Sequence, residues 1–218
     1  STNGVDIEFF NKNDKINISA NTFKRKFNLI NKFTFIFIGR IVKDKGIEEL
    51  LKAFVKLNNK ISSTRLILLG RQEQDLNPIN NEAKNTILSN KNIINLGYRN
   101  DVRTFLTASN CLVLPSYREG MPNVVLQAGS MKIPSIVTNI NGCNEIIKNK
   151  VNGLIVQPKN INSLHLAMKK IATDKKLCKS LKNSARINVV NRFSQNEFLK
   201  KILKIYSNLD KSKKYKKN

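Results

Sequence analysis

Positively charged side chains recur in this sequence where predicted strands end. Four apolar runs are each followed by a polar loop with at least one cation, and carboxylates in these loops are few. The loops contribute Arg40 and Lys45, Arg71, Tyr98 and Arg99, and Arg118 and Glu119. In a parallel sheet all such loops lie on one edge, where several cations suit a phosphate or diphosphate. As alternatives, Arg40 and Lys45 would be a solvated loop pair, and Arg118 and Glu119 a surface ion pair.

The loop after the fourth apolar run opens into a helix. Cys111–Leu114 is predicted to be a buried strand, Pro115 and Gly120 break it, and a helix begins near Asn123. A helix N-terminus offers free N–H groups and the positive end of the helix dipole. Phosphate or a polyhydroxylated group is the natural ligand there. Residues 115–129 are therefore the predicted centre of the site.

Several familiar kinds of site are missing from the sequence. There is no G-x-G-x-x-G or P-loop motif, no nucleophile elbow and no His/Cys/Asp cluster that would bind a metal. The three cysteines are irregularly spaced and fit neither a disulfide framework nor a zinc site. The single histidine, His165, lies in a helical stretch and is predicted to be structural.

Strands that alternate with helices predict the fold. The six apolar runs are Phe33–Ile38, Arg65–Leu69, Ile93–Leu96, Cys111–Leu114, Pro134–Thr138 and Leu154–Val156. Amphipathic stretches between them predict an α/β fold with a doubly wound, six-stranded parallel, Rossmann-like sheet and right-handed crossovers. Beyond Pro158 the chain is predicted to be wholly helical, with helices Ile161–Thr173, Lys175–Asn191 and Gln195–Leu209.

The chain divides into four predicted segments. Residues 1–30 are polar and are predicted to lead into the domain without forming a strand–helix unit. Residues 31–193 form the Rossmann-like domain, and residues 194–210 form a C-terminal crossing helix. Residues 211–218 are a basic tail that we expect to be disordered.

The charge of the chain is extreme, with a formal net charge of +24 over 218 residues. Lysine greatly outnumbers arginine and asparagine is abundant, a bias that an AT-rich genome would produce. The charge therefore leaves three interpretations open: a solvated surface, an anionic lipid surface or nucleic acid. No apolar run has the length of a transmembrane helix and no signal peptide is visible.

Short pieces of the sequence together resemble a known domain. They are Asn3–Asp6, Gly39-Arg40 with Lys45-Gly46, Leu68–Gly70, Gly97-Tyr98, Leu114–Pro122, Ile133–Val137, Asn141-Gly142 with Glu145-Ile146, and Asn152–Leu154. In this order and spacing they resemble the C-terminal, donor-binding domain of GT-B fold retaining glycosyltransferases of family 4. The likeness is greatest to bacterial surface-polysaccharide enzymes and covers residues 3–195.

The resemblance implies roles for individual residues. It makes Arg40, Lys45 and Glu119 catalytic, with Arg40 and Lys45 on the donor diphosphate and Glu119 on sugar hydroxyls. Gly97, Tyr98 and Arg99 would border the base. The full donor-binding set is Gly39, Arg40, Lys45, Arg71, Gly97, Tyr98, Arg99, Glu119, Gly120, Met121, Asn123 and Gln127.

One position departs from the family pattern. The E-x₇-E motif of the family ends in Gln127 here, where a glutamate would accept hydrogen bonds from the ribose hydroxyls. Glutamine keeps one carbonyl acceptor and adds two donors but lacks the charge. The change puts the nucleotide affinity in question and leaves the fold unaffected.

The implied function is the transfer of a sugar, with retention, from a nucleotide sugar to a saccharide or lipid-linked acceptor. UDP is the expected nucleotide, and no metal or other cofactor is implied. The chain is half of such an enzyme, so we expect it to bind donor and to be inactive without an N-terminal, acceptor-binding half. The implied location is cytoplasmic, with peripheral attachment to the inner face of the cell membrane left open.

Three alternatives to this function remain. The chain could be a non-catalytic module that binds nucleotide sugars, which the neutral Gln127 favours. The charge alone would allow a nucleic-acid binding domain, although the resemblance implies no nucleic-acid partner. A GT-B epimerase is also conceivable, but the context Arg118-Glu119-Gly120 favours a transferase.

Overall fold

The computed structural model describes residues 4–214, with Lys201 and residues 207–214 described for their backbone alone. Its centre is one sheet of six parallel strands in the order β3-β2-β1-β4-β5-β6. The strands are β1 (Phe33–Ile38), β2 (Thr64–Leu69), β3 (Ile93–Asn95), β4 (Cys111–Leu114), β5 (Ser135–Thr138) and β6 (Gly153–Val156). The predicted doubly wound sheet is confirmed, with each strand end within one residue of its predicted place.

Nine helices accompany the strands in the described part of the chain. They are α1 (Asp14–Lys26), α2 (Ile47–Asn58), α3 (Asn81–Ser89), α4 (Arg103–Ala108), α5 (Asn123–Ser130), α6 (Cys143–Ile146), α7 (Ile161–Thr173), α8 (Lys175–Phe193) and α9 (Gln195–Lys214). Helix α2 packs against α3 and α7, whereas α1 packs against α4 and α5 against α8. None of the described helices is both long and apolar enough to cross a membrane.

Strand β1 forms the middle of the core. Its residues Phe35, Ile36 and Phe37 are fully buried. Successive side chains of a strand point to opposite faces, so both faces of β1 are covered, as a central parallel strand requires. Burying each of these side chains contributes about 1.5–3 kcal/mol.

The order of the strands creates a switch point between β1 and β4. From β1 the chain moves outward to β2 and β3, and it then returns to place β4 on the other side of β1. Phe35 pairs with Cys111 and Ile36 with Leu112, so the two strands end at the same level. The loops after β1 and β4 therefore diverge from neighbouring strand ends, and ligands of such folds bind in this crevice.

Helix α1 lies in the N-terminal segment, for which the sequence analysis predicted an entry segment without a strand–helix unit. The side chain of Asn13 caps it by accepting a hydrogen bond from the Ile16 N–H at 2.9 Å. Its buried or half-buried apolar residues Ile16, Ala20 and Phe23, together with Phe27 at its C-terminal cap, have helical spacing. That pattern is weak because the intervening residues are nearly all polar, and it escaped the sequence analysis for this reason.

The C-terminal helices are longer than predicted. Helix α8 continues to Phe193, whose carbonyl accepts a hydrogen bond from the Val5 N–H at 2.8 Å and so ties the two ends of the domain together. Helix α9 continues to Lys214. It thus extends from the predicted crossing helix into residues 211–214 of the predicted basic tail, while residues 215–218 lie outside the described part of the chain.

The three cysteines and the histidine that was predicted to be structural are all buried. All three cysteines are free and buried. His165 is 4% exposed, and its Nδ1 lies 3.4 Å from the carbonyl oxygen of Ala53. Burial is the main cause that lowers the pKa of His165. This histidine joins α7 to α2.

Candidate functional site

Lys45 and Glu119 meet at the switch point. Lys45 Nζ lies 2.7 Å from Glu119 Oε1, and the two side chains are 19% and 14% exposed. Burial, and secondly the negative charge of Glu119, raise the pKa of the neighbouring Cys143 thiol to about 12. A cation and a carboxylate are thus held together, partly shielded from water, in the crevice between the β1 and β4 loops.

Lys45 is positioned by a tight turn after β1. Residues Lys43–Lys45 form a 3₁₀ turn that passes through Gly46, at φ +69°, into α2. A Cβ at Gly46 would collide with the carbonyl oxygen of Pro115. The Tyr117 N–H also donates to the carbonyl of Asp44 at 2.9 Å. The turn that carries Lys45 is therefore packed, backbone against backbone, on the loop that carries Glu119.

Glu119 is fixed from its other side by the loop after β5. Gly142 has φ +77°, and a Cβ there would collide with the carbonyl oxygen of Gly120. The Thr138 hydroxyl, at the end of β5, donates to the carbonyl of Ser116. The β4 loop is held between its two neighbours, which orients Glu119 towards Lys45.

The N-terminus of α5 opens beside this ion pair. Pro122 occupies the capping position with an extended backbone, and no side chain caps the helix. Gly120 and Asn123 are exposed and Met121 is half-buried. Uncapped N–H groups at a helix N-terminus attract anions, so these residues and the Lys45 cation face the same small volume.

Gln127 lies one turn further along α5. It is half-buried, and among the described residues no group forms a hydrogen bond with its side-chain amide. The amide is therefore available to a ligand that reaches the first turns of α5.

A second part of the site is a cleft of about 530 Å³ at the ends of β1, β2 and β3. The residues that line it are Ile38, Gly39, Arg40, Leu69, Gly70, Arg71, Glu73, Tyr98, Arg99 and Val102. The guanidinium carbon of Arg71 lies 5.1 Å from the centre of the Tyr98 ring, and Arg99 Nη1 donates to the Tyr98 carbonyl at 2.8 Å. The cleft thus presents three arginines and a tyrosine ring that is 55% exposed.

Arg40 has a partner that the sequence analysis missed. Its Nη1 lies 3.0 Å from Glu73 Oε2, and the two side chains are 52% and 30% exposed. An exposed pair of this kind adds little to stability. Arg40 can therefore exchange Glu73 for an anionic ligand at low cost. No sequence motif marks Glu73, which lies 33 residues away from Arg40.

The predicted site residues thus fall into two groups. Gly39, Arg40, Arg71, Tyr98 and Arg99 line the cleft, whereas Lys45, Glu119, Gly120, Met121, Asn123 and Gln127 belong to the crevice.

Two further predicted residues have other positions. Gly97 lies outside the lining of the cleft, and its carbonyl accepts a hydrogen bond from the Gly70 N–H at 3.0 Å at the ends of β2 and β3. The side chain of Arg118 is 84% exposed and lies 3.4 Å from Asp44. It therefore forms a surface ion pair, as considered from the sequence, but its partner is Asp44 and not the adjacent Glu119.

Tyr117, which the sequence analysis did not single out, connects the β4 loop to α2 beside the crevice. The Tyr117 hydroxyl donates to Glu49 Oε1 at 2.6 Å. Burial, and secondly this carboxylate, raise the pKa of Tyr117 well above its usual value. Glu49 lies in the first turn of α2, so the contact ties the β4 loop to α2. Its only sequence signal is that Tyr117 lies next to the predicted helix mouth.

Metal-binding groups are dispersed rather than clustered. Over residues 4–214 no three histidine, cysteine, aspartate or glutamate side chains come together in a way that could hold a metal ion.

The sequence comparison decides the family. Residues 20–188 match the family described as "Glycosyl transferases group 1". The chain belongs to this family. The resemblance inferred from the sequence motifs is therefore confirmed.

Individual glycosyltransferases match nearly all of the chain. It is 33% identical to the UDP-Gal:alpha-D-GlcNAc-diphosphoundecaprenol alpha-1,3-galactosyltransferase of Escherichia coli, over 94% of this chain and 52% of the relative. It is 28% identical to the capsular polysaccharide biosynthesis glycosyltransferase CapM of Staphylococcus aureus, over 95% and 53%. The chain thus spans about half the length of these relatives.

The fold also matches solved structures. The HepE protein of Anabaena, solved in complex with UDP-glucose, superposes with a TM-score of 0.83 at 19% identity, over 94% of this chain and 56% of HepE. The Rossmann-like domain is therefore one half of a GT-B fold.

Proposed function

We propose that this chain is the donor-binding half of a retaining glycosyltransferase. The whole enzyme transfers a sugar from a nucleotide sugar, most simply a UDP-sugar, to a saccharide or lipid-linked acceptor. The observation that carries the proposal is the meeting of Lys45 and Glu119 beside the uncapped N-terminus of α5. This arrangement has a cation and helix N–H groups for a diphosphate, and a carboxylate that can accept hydrogen bonds from sugar hydroxyls.

The diphosphate is bound by Arg40 and Lys45. When the sugar leaves, negative charge develops on the departing nucleoside diphosphate, and fixed cations stabilise it. Each charged hydrogen bond contributes about 1.5–3 kcal/mol. In other sites a divalent metal stabilises this charge. In this proposal the two cations and the α5 N-terminus do so, and the reaction needs no metal.

The nucleoside is bound on both sides of the β1 loop. The cleft that Arg71, Tyr98 and Arg99 line has the volume and the aromatic surface for the base, and Gly97 supports it through its hydrogen bond with Gly70. Gln127 contacts the ribose through its amide. An amide forms weaker hydrogen bonds with hydroxyls than a carboxylate does, so nucleotide affinity is moderate.

The acceptor belongs to the other half of the enzyme. The name of the E. coli relative describes a lipid-linked diphosphate acceptor, which supports a lipid-linked saccharide here. Such an acceptor implies work at the inner face of the cell membrane, with an anionic lipid surface and no nucleic acid as partner. Helix α9 exposes Leu199, Leu203 and Tyr206 at helical spacing, and this apolar stripe contacts the acceptor-binding half.

One other function is favoured by a specific observation. Gln127 is neutral where the family pattern has a carboxylate, which would suit a non-catalytic module that binds nucleotide sugars. The two functions predict the same binding and differ in turnover. A labelled-sugar assay on the full-length protein separates them, because a non-catalytic module would show no turnover. The 218-residue chain alone should show no transfer, and clear turnover would show that the other half is dispensable.

Calorimetric titration of the chain with nucleoside diphosphates and their sugars tests the donor site. We expect UDP to bind, Arg40→Ala to weaken binding about tenfold or more, and EDTA to have no effect. Arg25→Ala, on the exposed surface of α1, is the control for loss of one charge. Absence of binding by every nucleotide would overturn the proposal. A requirement for a divalent cation would overturn its metal independence.

A further inference from the structure

Four lysines lie on separate segments of the chain that meet at the edge of the sheet opposite the donor site, and we call them the amino-edge cluster. Lys12 precedes α1, Lys24 lies in the last turn of α1, Lys132 follows α5, and Lys182 lies on α8. Lys24 and Lys132 come shortly before β1 and β5, so they lie at the amino ends of the strands. Lys182 lines a groove together with Phe33, the first residue of β1.

The segments that carry this cluster are fastened to one another. The Ser130 hydroxyl donates to the carbonyl of Phe10 at 2.7 Å, and Arg186 Nη1 donates to the carbonyl of Ser130. Each of these three residues lies within four positions of one cluster lysine. The cluster therefore lies on a fixed junction of the N-terminal segment, the end of α5 and the middle of α8.

The charges of the cluster are not balanced by carboxylates. In the described part of the chain no ion pair involves any of the four lysines. Partial desolvation, and then repulsion by Lys182, Lys24 and Lys132, lower the pKa of Lys12 to about 8, although this residue is exposed by surface area. Burial, and then Lys182, also lower the pKa of Lys24. Like charges held this close raise the free energy of the fold unless an anion joins them.

Two grooves continue the positive surface on this edge. One, of about 530 Å³, is lined by Asn21, Lys24, Arg25, Leu29, Ile30, Asn31, Lys32, Ala108 and Asn110. The other, of about 310 Å³, is lined by Phe33, Asn110, Ile171, Ala172, Lys175, Cys178, Lys179 and Lys182. They share Asn110, each contains three cations, and neither is lined by a carboxylate.

We propose that the amino-edge cluster is a second anion site, which binds a ligand with several phosphate groups. Lysine ammonium groups act as point charges with rotatable donors and suit phosphates without the fixed fork geometry of arginine. Four such groups from separate segments, two of which line neighbouring grooves, match a chain of linked phosphates better than one isolated phosphate. The length of β1, about 20 Å, separates this site from the donor site, and the proposal is independent of the proposed function.

The test uses the 218-residue chain and tripolyphosphate, titrated in the presence of saturating UDP so that the donor site is occupied. Because the net charge of +24 attracts any polyanion, the decisive comparison is between two double variants that lose the same charge. Lys24→Gln with Lys182→Gln removes half of the cluster. Lys60→Gln with Lys91→Gln removes two exposed lysines at the amino ends of β2 and β3 that lie outside the cluster and line neither groove.

We expect the cluster variant to bind tripolyphosphate about tenfold or more weakly, and the control variant to stay within about twofold of the original chain. Equal losses in both double variants would overturn the proposal, because they would show attraction by net charge alone. Loss of fold is detected by the unfolding temperature of each variant without ligand. If the cluster variant is unfolded, Lys132→Gln alone, at an exposed position, serves instead.

A second arm identifies the source of the phosphates. If lipid headgroups supply the phosphates, vesicles that contain one fifth phosphatidylglycerol should compete with tripolyphosphate for the cluster. Neutral vesicles should not compete. Binding of tripolyphosphate without competition by these vesicles supports a soluble polyphosphorylated ligand. Both results support the anion site, and absence of tripolyphosphate binding to the original chain at low salt contradicts it.

Discussion

Lys45 and Glu119 are 74 residues apart in sequence, and their side chains form a 2.7 Å ion pair across the switch point of the sheet. The pair joins the loop after β1 to the loop after β4, whose strands are neighbours in space although two strand–helix units lie between them. In the proposed enzyme this contact brings the diphosphate-binding and sugar-binding groups together. The cation that would stabilise the leaving group is thus already in place before donor binds.

Replacing Lys45 should therefore impair donor binding strongly. In Lys45→Ala the diphosphate loses a charged hydrogen bond worth about 1.5–3 kcal/mol, which weakens UDP binding about ten- to a hundredfold. Calorimetric titration with UDP measures the change. The control is Lys43→Ala, in the same turn, because the side chain of Lys43 is exposed and in no ion pair among the described residues. If both variants bind UDP equally well, Lys45 does not contact the diphosphate.

Gln127 gives a prediction in the opposite direction. Because a carboxylate accepts hydrogen bonds from two hydroxyls more strongly than an amide does, Gln127→Glu should tighten binding of UDP about three- to tenfold. Inorganic diphosphate has no ribose, so its binding to the same variant should stay unchanged or weaken from added repulsion. Both ligands are compared by calorimetry at one ionic strength. An equal gain for the two ligands would mean that residue 127 acts on the phosphates and not on the ribose.

The fold and the family could be predicted from the sequence because their signals are local. Strands buried on both faces, such as Phe33–Ile38, are continuous apolar runs, and loops at their carboxyl ends must share one edge. The contact between Lys45 and Glu119 could be expected only as proximity, since its geometry depends on where Gly46 meets Pro115. Helix α1 escaped prediction because few of its residues are apolar.

The sequence contains no local signal for which lysines cluster or which carboxylate pairs with a given cation. Lysine is so abundant here that sequence alone does not distinguish Lys182, in the amino-edge cluster, from Lys179 three residues before it. The partner of Arg40, Glu73, lies in a loop without a motif. Such relationships arise from tertiary packing and need coordinates.

The turn that positions Lys45 should be sensitive to a single methyl group. Gly46 and Gly97 have nearly the same positive φ, of +69° and +67°. A Cβ at Gly46 would collide with the Pro115 carbonyl, whereas nothing lies within 4 Å of a Cβ at Gly97. Gly97→Ala should therefore cost only the left-handed backbone strain, about 1–2 kcal/mol. Gly46→Ala should cost that strain and about 1–3 kcal/mol more for overpacking.

Urea unfolding at neutral pH gives the free energy of unfolding for both glycine variants and the original chain. The expected order of stability is original chain, Gly97→Ala, then Gly46→Ala. Gly46→Ala should also weaken UDP binding, because the shifted turn moves Lys45 away from Glu119. Equal stability of the two variants would contradict the close packing of the two loops.

The buried His165 predicts how stability depends on pH. Burial is the main cause that lowers its pKa in the folded state below the usual 6.5, and Lys56, Lys60 and Lys169 lower it further, while the contact with the Ala53 carbonyl opposes the shift. The unfolded chain therefore binds more protons at this residue than the folded chain does. Its contribution to stability is complete above pH 6.5 and is lost as the pH falls from 6.5 towards the folded-state pKa.

Replacement of His165 by a side chain that does not titrate should remove this loss. In His165→Gln the free energy of unfolding should fall less between about pH 7.5 and 5.5, a window above the usual titration of carboxylates, than in the original chain. Urea unfolding at both pH values gives the two differences, and the values at the higher pH isolate any packing effect of the substitution. An equal fall in free energy of unfolding in both proteins would contradict the prediction. It would mean that folding does not shift the pKa of His165 and that other groups cause the pH dependence.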